Sequence, residues 1–190
     1  MEERRVTISR AKMTIEYPAS FMLIAAMNPC PCGYYNHPTV ECTCPAGAVK
    51  RYLNKVSGPL MDRIDIHIEV TPVPVSQLNK EEKAESSAAI RERVVAARAI
   101  QTARFAVHPG VHCNAQMGSK LTRQYCVLSD ECRNIMEMAM NRLGLSARAY
   151  DRILRVSRTI ADLEASPDIK PYHLQEAITY RSLDRDSWGR

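Results

Sequence analysis

The sequence contains no apolar stretch that approaches the roughly 20 residues required to cross a bilayer. Residues 1–5 also lack the apolar segment of a secretory signal peptide. Its seven cysteines are an odd number, which does not fit a complete disulfide framework. We therefore expect a cytoplasmic protein with no membrane partner, in a reducing compartment that leaves thiols available for metal.

A second absence concerns nucleotide chemistry. Nucleotide-driven motors hold the phosphates with a Gly-x-x-x-x-Gly-Lys-Ser/Thr loop, and hold Mg²⁺ with an apolar strand that ends in Asp-Glu. The one Gly-Ser-Lys sequence, at 118–120, has no glycine at the required earlier position, and Asp130-Glu131 follows only a short apolar run. We predict that this chain alone hydrolyses no ATP.

Length and composition are compatible with a folded protein. The 190 residues correspond to one large or two small domains, and 45% hydrophobic residues are enough for a core. The 26 Lys and Arg residues exceed the 21 Asp and Glu residues and give a net charge of +5. Such an excess favours anionic partners such as nucleotides or nucleic acid, although a solvated surface explains it about as well.

Hydropathy patterns in the first part of the chain indicate strands. Residues 5–16 contain two alternating segments separated by Arg10-Ala11-Lys12, which predicts a β-hairpin. The nearly continuous apolar run at 21–27 is typical of a strand covered on both faces in a parallel sheet. Asn28 would then lie at the carboxyl end of that strand, the edge at which open α/β sheets bind ligands. Residues 64–70 alternate strictly and predict a half-buried strand.

The rest of the chain has helical periodicity. The predicted helices are a short one at 45–56, a long amphipathic one at about 82–105, and three more at 129–143, 147–164 and from Pro171 onward. Gly144 would end the first of these three, and Ser146 would cap the second. The sequence therefore predicts a strand-rich part (1–75), a linker with a long helix (76–105) and an all-helical part (106–190).

Three sequence blocks carry a resemblance to a known family: Ala25-Ala26-Met27-Asn28-Pro29, residues 57–65 and residues 146–152. Through them the chain resembles the magnesium-chelatase-like branch of the AAA+ ATPases, the ComM/YifB family, over nearly its whole length. Because the phosphate-binding loop and the Asp-Glu strand are absent, it resembles only the C-terminal part of such an ATPase. The resemblance implies the α/β remnant of an AAA+ core, with a hairpin and parallel-sheet strands, followed by an all-α lid domain.

The resemblance also implies an activity for the full-length protein. ATP and Mg²⁺ would be its cofactors, a homo-oligomeric ring such as a hexamer its assembly, and DNA its partner, with helicase or branch-migration activity. Three alternatives stay open: a chelatase-type ATPase subunit that acts on a metal-insertion partner, a zinc-stabilised interaction module without motor activity, and a basic nucleic-acid-binding domain.

Two residues in the blocks would act on the nucleotide from loops. Asn28 resembles sensor 1, a neutral amide that orients the attacking water and hydrogen-bonds the γ-phosphate; the alternative is an Asn-Pro turn. Arg63 resembles the arginine finger, which reaches the nucleotide of a neighbouring subunit. Its alternative is a surface pair with Asp62, worth less than ~1 kcal/mol.

A third candidate lies at the start of a predicted helix. Arg148 occupies the position of sensor 2 in the resemblance, from which a cation contacts the γ-phosphate and couples the lid to the nucleotide state. Arg152 follows at i+4 on the same face and is a second candidate for nucleotide binding. A solvated basic stripe is the alternative, and it fits Arg152 and Arg155 better than Arg148.

The cysteines divide into two groups. The four in closely spaced pairs are Cys30, Cys32, Cys42 and Cys44, with nine residues between the pairs. That separation is enough for the chain to fold around one tetrahedral, structural Zn²⁺, with His37 as a possible substitute ligand; four free thiols are the alternative. The others have no spacing signature and are predicted to be packing residues: Cys113, Cys126 and Cys132.

The predicted hairpin carries Arg10 and Lys12 at its tip. In the resemblance this hairpin is the pre-sensor-1 hairpin, which related hexameric helicases point into their central channel. Lys and Arg side chains contact nucleic-acid phosphates without regard to base sequence, so both residues are candidate DNA contacts. The alternative is an exposed turn with polar residues.

Overall fold

The computed structural model describes residues 4–73 and 84–181, and the chain divides into two compact units, Met1–Tyr52 and Leu53–Arg190. The described ranges contain one two-stranded antiparallel sheet, seven α-helices and one 3-10 helix, so the protein is mostly helical. Within these ranges no helix combines the length and the apolar character needed to span a bilayer.

The first unit begins with the predicted hairpin. Strand β1 comprises Arg5–Arg10 and strand β2 comprises Met13–Pro18, paired antiparallel with Arg10 opposite Met13. Cross-strand contacts include a hydrogen bond of 2.9 Å between the hydroxyls of Ser9 and Thr14. Both faces of the hairpin are largely exposed, so its stability rests on backbone pairing and these side-chain pairs rather than on a buried face.

The prediction of two further strands, at 21–27 and 64–70, is wrong for the described structure. The 21–27 segment is irregular, and its Met22 and Ile24 side chains are each 83% exposed. The 64–70 segment is also irregular, with only His67 buried. A strand needs a neighbour for its N–H and C=O groups, and among the described residues the only paired strands are β1 and β2. The apolar pattern is therefore present without the sheet that it predicts.

Two short helices follow the hairpin. Helix α1 comprises Ala48–Leu53 and is shorter at both ends than the predicted 45–56, because the chain enters and leaves it through turns. Helix α2 comprises Gly58–Met61 with Pro59 in its first turn. Pro59 has no N–H to satisfy there, which makes this position favourable for proline.

The second unit contains α2, the four longer helices that were predicted, and two further short ones. Its larger elements are α3 (Ser87–Phe105), the 3-10 helix Asn114–Gln116, α4 (Ser119–Tyr125), α5 (Asp130–Leu143), α6 (Ala147–Leu163) and α7 (Pro171–Thr179). The predicted caps are confirmed. Gly144 ends α5 at φ +59°, a left-handed conformation that glycine tolerates best, and the Ser146 hydroxyl accepts from the Ala149 amide at 3.2 Å. Neither α4 nor the 3-10 helix was predicted.

The core of the second unit lies between α6 and its neighbours. Ile153 of α6, Leu174 of α7 and Cys132 of α5 are fully buried, and Phe105 closes the end of α3. Cys126 and Cys132 are core residues, as predicted, whereas Cys113 is half-buried. The predicted apolar stripe of α3 is only partly packed, because Ala97, Gln101 and Phe105 are buried while Ile90 and Val94 are 42% and 46% exposed.

Candidate functional site

The four paired cysteines converge on one point. Their sulfur atoms lie within 4.8 Å of one another, and this is the only such group of potential metal ligands in the described ranges. The Sγ–Sγ distances are 3.3 Å for Cys30–Cys32, 3.5 Å for Cys32–Cys42 and 3.8 Å for Cys30–Cys42. A tetrahedron with Zn–S bonds of about 2.3 Å has edges of about 3.8 Å. The three distances among Cys30, Cys32 and Cys42 are close to that edge length, and the number of sulfurs matches a structural zinc site.

The backbone around the first cysteine pair supports this arrangement. The Gly33 amide donates to the Cys30 carbonyl at 3.1 Å, and Gly33 itself has φ +87°, so the chain turns sharply just after Cys32. The Tyr35 amide then donates to Cys30 Sγ at 3.3 Å. Amide hydrogen bonds favour the thiolate over the thiol, and the thiolate is the form that binds metal.

The thiols of this cluster differ in acidity. The pKa of Cys32 is lowered to about 5, first by a backbone hydrogen bond from Tyr34 and then by the neighbouring thiols. For Cys44 an amide hydrogen bond from Cys32 also acts to lower the pKa, but lost hydration and the neighbouring thiols outweigh it and raise the pKa to about 12. The thiolate is therefore favoured at Cys32 and opposed at Cys44. A divalent cation removes this opposition, because a coordinated thiol is deprotonated outright.

His37 is not part of the cluster. Its Nδ1 accepts hydrogen bonds from the Thr39 and Val40 amides at 3.3 Å and 3.1 Å. The imidazole thus closes a turn between the two cysteine pairs, while the group of converging ligands consists of four cysteines. Since four ligands complete a structural zinc site, His37 is not needed as a substitute.

Two other predicted sites in the first unit are solvent-exposed. Asn28 lies in irregular backbone two residues before Cys30, which is itself fully buried. Arg10 ends β1 and Lys12 follows in the turn, so both cations lie at the tip of the hairpin and are exposed. The roles of these three residues stay predictions.

Arg63 follows helix α2 directly. Its Nη1 donates to the Pro59 carbonyl at 2.8 Å, so the half-buried guanidinium lies back along the helix that precedes it. Asp62 is only 5% exposed, which does not fit the alternative of a solvated Asp62–Arg63 surface pair. The predicted role of Arg63 as an arginine finger is not tested by this geometry.

The three arginines of the α6 stripe have different environments. Arg148 lies in the first turn of α6 and is exposed. Arg152 is 7% exposed and forms an ion pair with Asp65. Arg155 is half-buried and donates to the carbonyls of Ala115 and Met117, both at 3.4 Å, and burial lowers its pKa. A solvated stripe is therefore wrong for Arg152 and Arg155, and Arg148 is the member that faces solvent.

The sequence reasoning missed two anchoring residues of the second unit. Asp65, within the predicted strand 64–70, pairs with Arg152. Arg181, near the end of the described chain, is 1% exposed and donates to the Ile64 carbonyl. In the sequence, each of these two positions is a charged residue next to apolar ones. That signal can indicate a buried charge, but it does not identify the partner.

Comparison with known families agrees with the resemblance. Residues 84–181 match the family model described as magnesium chelatase, subunit ChlI C-terminal, and residues 1–78 match magnesium chelatase, subunit ChlI. The first match alone covers just over half of the chain. The chain therefore belongs to the magnesium chelatase ChlI family, and the family predicted from the three sequence blocks is confirmed.

Curated relatives show the same membership. Competence protein ComM of Haemophilus influenzae is 45% identical over 186 residues, which is 97% of this chain and 35% of the relative. An uncharacterized protein YifB of Salmonella typhimurium is 41% identical over the same shares of the two chains. A Mycobacterium tuberculosis protein is 34% identical over 95% of this chain and 35% of its own length. This chain thus spans about a third of the length of these relatives.

Proposed function

We propose that this chain is the C-terminal region of a magnesium-chelatase-like ATPase, which couples ATP binding and hydrolysis in a ring oligomer to the remodelling of DNA. Family membership supports the ATPase class. The observation that carries the nucleotide role is the environment of Arg148. It is exposed at the capped N-terminus of α6, whereas Arg152 and Arg155 are engaged by protein groups.

Each proposed nucleotide contact has a chemical role. Arg148 supplies a positive charge to the γ-phosphate from the first turn of α6, the end of a helix at which the macrodipole also favours an anion. Arg63 leaves the Pro59 carbonyl and stabilises charge on the phosphoryl group bound by an adjacent subunit. Asn28 orients the attacking water through its amide. The phosphate-binding loop and the Mg²⁺ ligands come from sequence that precedes this region in the full-length protein.

ATP turnover of the full-length protein tests this proposal. Arg148→Ala is expected to lower kcat by about 10-fold or more, because a charged contact to the transferred phosphoryl group is lost. Arg142→Ala is the matched control, since Arg142 is exposed in the last turn of α5. Equal turnover of the two variants would contradict the role of Arg148. Turnover by the present chain alone would contradict the absence of a complete site.

We also propose that Cys30, Cys32, Cys42 and Cys44 hold one structural Zn²⁺. The support is the four converging sulfurs, the distances of 3.3–3.8 Å among three of them and the amide that donates to Cys30 Sγ. The four cysteines complete the coordination shell, so the ion would stabilise the loop between residues 30 and 44 and would activate no water. The metal content of the purified chain tests this proposal.

We propose DNA as the substrate that the full-length protein remodels. This proposal is supported by the net charge of +5 and by two exposed cations at a hairpin tip. A metal-insertion partner is the weaker alternative, because no feature of this sequence marks a tetrapyrrole site. A zinc-stabilised module without motor activity is distinguished by the coding sequence just upstream: a phosphate-binding loop there supports the ATPase, and its absence supports the module.

A further inference from the structure

The segment that carries Arg63 is fastened to the helices of the second unit. Asp65, two residues after Arg63, accepts a hydrogen bond from Arg152 of α6 in an ion pair. The Ile64 carbonyl accepts from the buried Arg181, and the His67 amide donates to the Tyr180 carbonyl at 2.9 Å. Three successive anchors thus hold a stretch that has no sheet pairing of its own in the described structure.

The ion pair is the one of the three anchors that a side chain of the 63–67 segment makes. The Arg152 side chain is 9% exposed and the Asp65 side chain is 49% exposed, so a nearly buried cation is neutralised by a carboxylate at the surface. Removing that carboxylate would leave a buried charge without its ion-pair partner, which proteins avoid by rearranging. Together with the Arg181 and Tyr180 anchors, the place where α6 holds Arg152 therefore sets the position of 63–65.

Helix α6 brings this anchor next to the candidate nucleotide contact. Arg148 and Arg152 are separated by four residues, so they lie one turn apart on the same face. A rigid helix transmits a displacement of its first turn to the next turn with little loss. A shift of α6 caused by a phosphate at Arg148 would therefore move Arg152 and its partner Asp65, which lies two residues from Arg63.

We propose that Asp65 and Arg152 are positioning residues that couple Arg148 to Arg63. This inference rests on the proposed function, in which Arg148 and Arg63 contact nucleotides bound at different sites of a ring. The Asp65–Arg152 ion pair then links the occupancy of one nucleotide site to the placement of the arginine finger in the next. The ion pair is then expected to affect the cooperativity of ATP hydrolysis among the sites of the ring, and to leave the affinity of one site for ATP little changed.

The test uses the full-length protein and varies the ATP concentration. The unchanged protein is expected to show a Hill coefficient above about 1, and Asp65→Asn to reduce it to about 1 with kcat lowered about fivefold and KM little changed. Asn is isosteric and removes only the charge. Glu69→Gln is the matched control, because Glu69 is an exposed carboxylate in the same segment.

Further variants separate coupling from folding. Asp65→Glu keeps the charge and is expected to retain cooperativity, whereas loss of packing would affect both substitutions. Thermal unfolding of the present chain reports whether the Asp65→Asn variant still folds. If that variant does not fold, the double variant Asp65→Arg/Arg152→Asp replaces it, because it exchanges the two charges, and it is expected to restore part of the Hill coefficient. If neither Asp65→Glu nor the double variant has a Hill coefficient above that of Asp65→Asn, the coupling is overturned.

Two outcomes distinguish this inference from the proposed function. If the unchanged protein hydrolyses ATP and Asp65→Asn keeps its Hill coefficient, the coupling is overturned and the ATPase assignment stands. A Hill coefficient of about 1 in the unchanged protein overturns the coupling in the same way. If the unchanged full-length protein has no ATP turnover, the proposed function is overturned and the coupling with it.

Discussion

Arg104 and Asp162 form a bidentate ion pair that joins α3 to α6, with distances of 2.6 Å from Nη1 to Oδ2 and 2.5 Å from Nη2 to Oδ1. The Asp162 carboxylate is fully buried and also accepts from Arg158 Nε at 3.1 Å and from Asn114 Nδ2 at 2.7 Å. One carboxylate therefore satisfies three donors from three elements. Such a network stabilises the fold when it is complete and is costly to break at one member.

Asp162→Asn should destabilise the second unit strongly. The substitution keeps the shape of the side chain but leaves two guanidinium groups in low-dielectric surroundings without their counter-charge, so we expect a loss of about 3–5 kcal/mol. Chemical denaturation followed by circular dichroism gives the free energy of unfolding. The control is Glu85→Gln, which breaks the exposed Arg93–Glu85 pair and should cost less than ~1 kcal/mol. Similar losses for the two variants would contradict the buried network.

Zinc should bind the chain with a stoichiometry set by the four cysteines. We expect about one equivalent of Zn²⁺ per chain in metal analysis, and tetrahedral thiolate absorption after replacement by Co²⁺. Cys42→Ser should remove most of this metal, whereas Cys113→Ser, outside the cluster, should not. Because zinc binds thiolates and protons compete for them, the metal should be released on acidification. Metal retained by Cys42→Ser would exclude the four-cysteine site.

The hairpin tip should contribute a salt-dependent term to DNA binding by the full-length protein. Each phosphate contact that is lost should reduce the slope of log K against log salt concentration by about 0.7–0.9. The double variant Arg10→Ala/Lys12→Ala should therefore lose up to twice that amount, with no change in sequence preference. Lys50→Ala, an exposed cation of α1, is the control. An unchanged slope for the double variant would remove Arg10 and Lys12 from the DNA contacts.

A carboxylate beside α7 should make stability depend on pH. Glu164 accepts hydrogen bonds from His173 Nε2 at 3.0 Å and from the Tyr172 hydroxyl at 2.7 Å, and these, His173 first, lower its pKa. A carboxyl whose pKa is depressed by folding stabilises the protein above its unfolded pKa of about 4.3 and loses that contribution as pH falls through the lower folded value.

Glu164→Gln should therefore be less stable than the unchanged chain near neutral pH and equally stable well below the pKa of Glu164. Thermal unfolding measured across this pH range checks the expectation. Glu92→Gln, a substitution of an exposed carboxylate on α3, should show no such convergence. A stability difference between Glu164→Gln and the unchanged chain that persists at low pH would show that the carboxylate acts through packing rather than charge.

Local chemistry explains why parts of this fold could be predicted. Ser146 caps its helix through a hydroxyl that accepts from the amide three residues ahead, and Gly144 supplies a left-handed residue. These signals depend on a few neighbouring residues. For the same reason the turn at Arg10-Ala11-Lys12 is enough to indicate a hairpin, and the spacing of the four cysteines is enough to predict that their sulfurs converge.

The failed strand predictions have the opposite cause. The apolar run 21–27 and the alternation at 64–70 express a preference for a sheet, but a sheet forms only where neighbouring strands accept and donate hydrogen bonds. In the described ranges β1 and β2 pair with each other and offer no partner to either segment. The roles of Asn28, Arg63 and Arg148 stay predictions, since each needs a nucleotide and surrounding residues from outside this region.

The family, the helix boundaries marked by caps and breakers, and the grouping of four cysteines could all be predicted from the amino-acid sequence, because each depends on residues close together along the chain. The pairing of Arg152 with Asp65, and the acceptance by Asp162 of hydrogen bonds from three residues, depend on the tertiary structure. Those contacts join residues distant in sequence. The packing of α3, α6 and the 61–67 segment decides which charged residues meet, and the pattern of charges along the sequence does not show which pairs form.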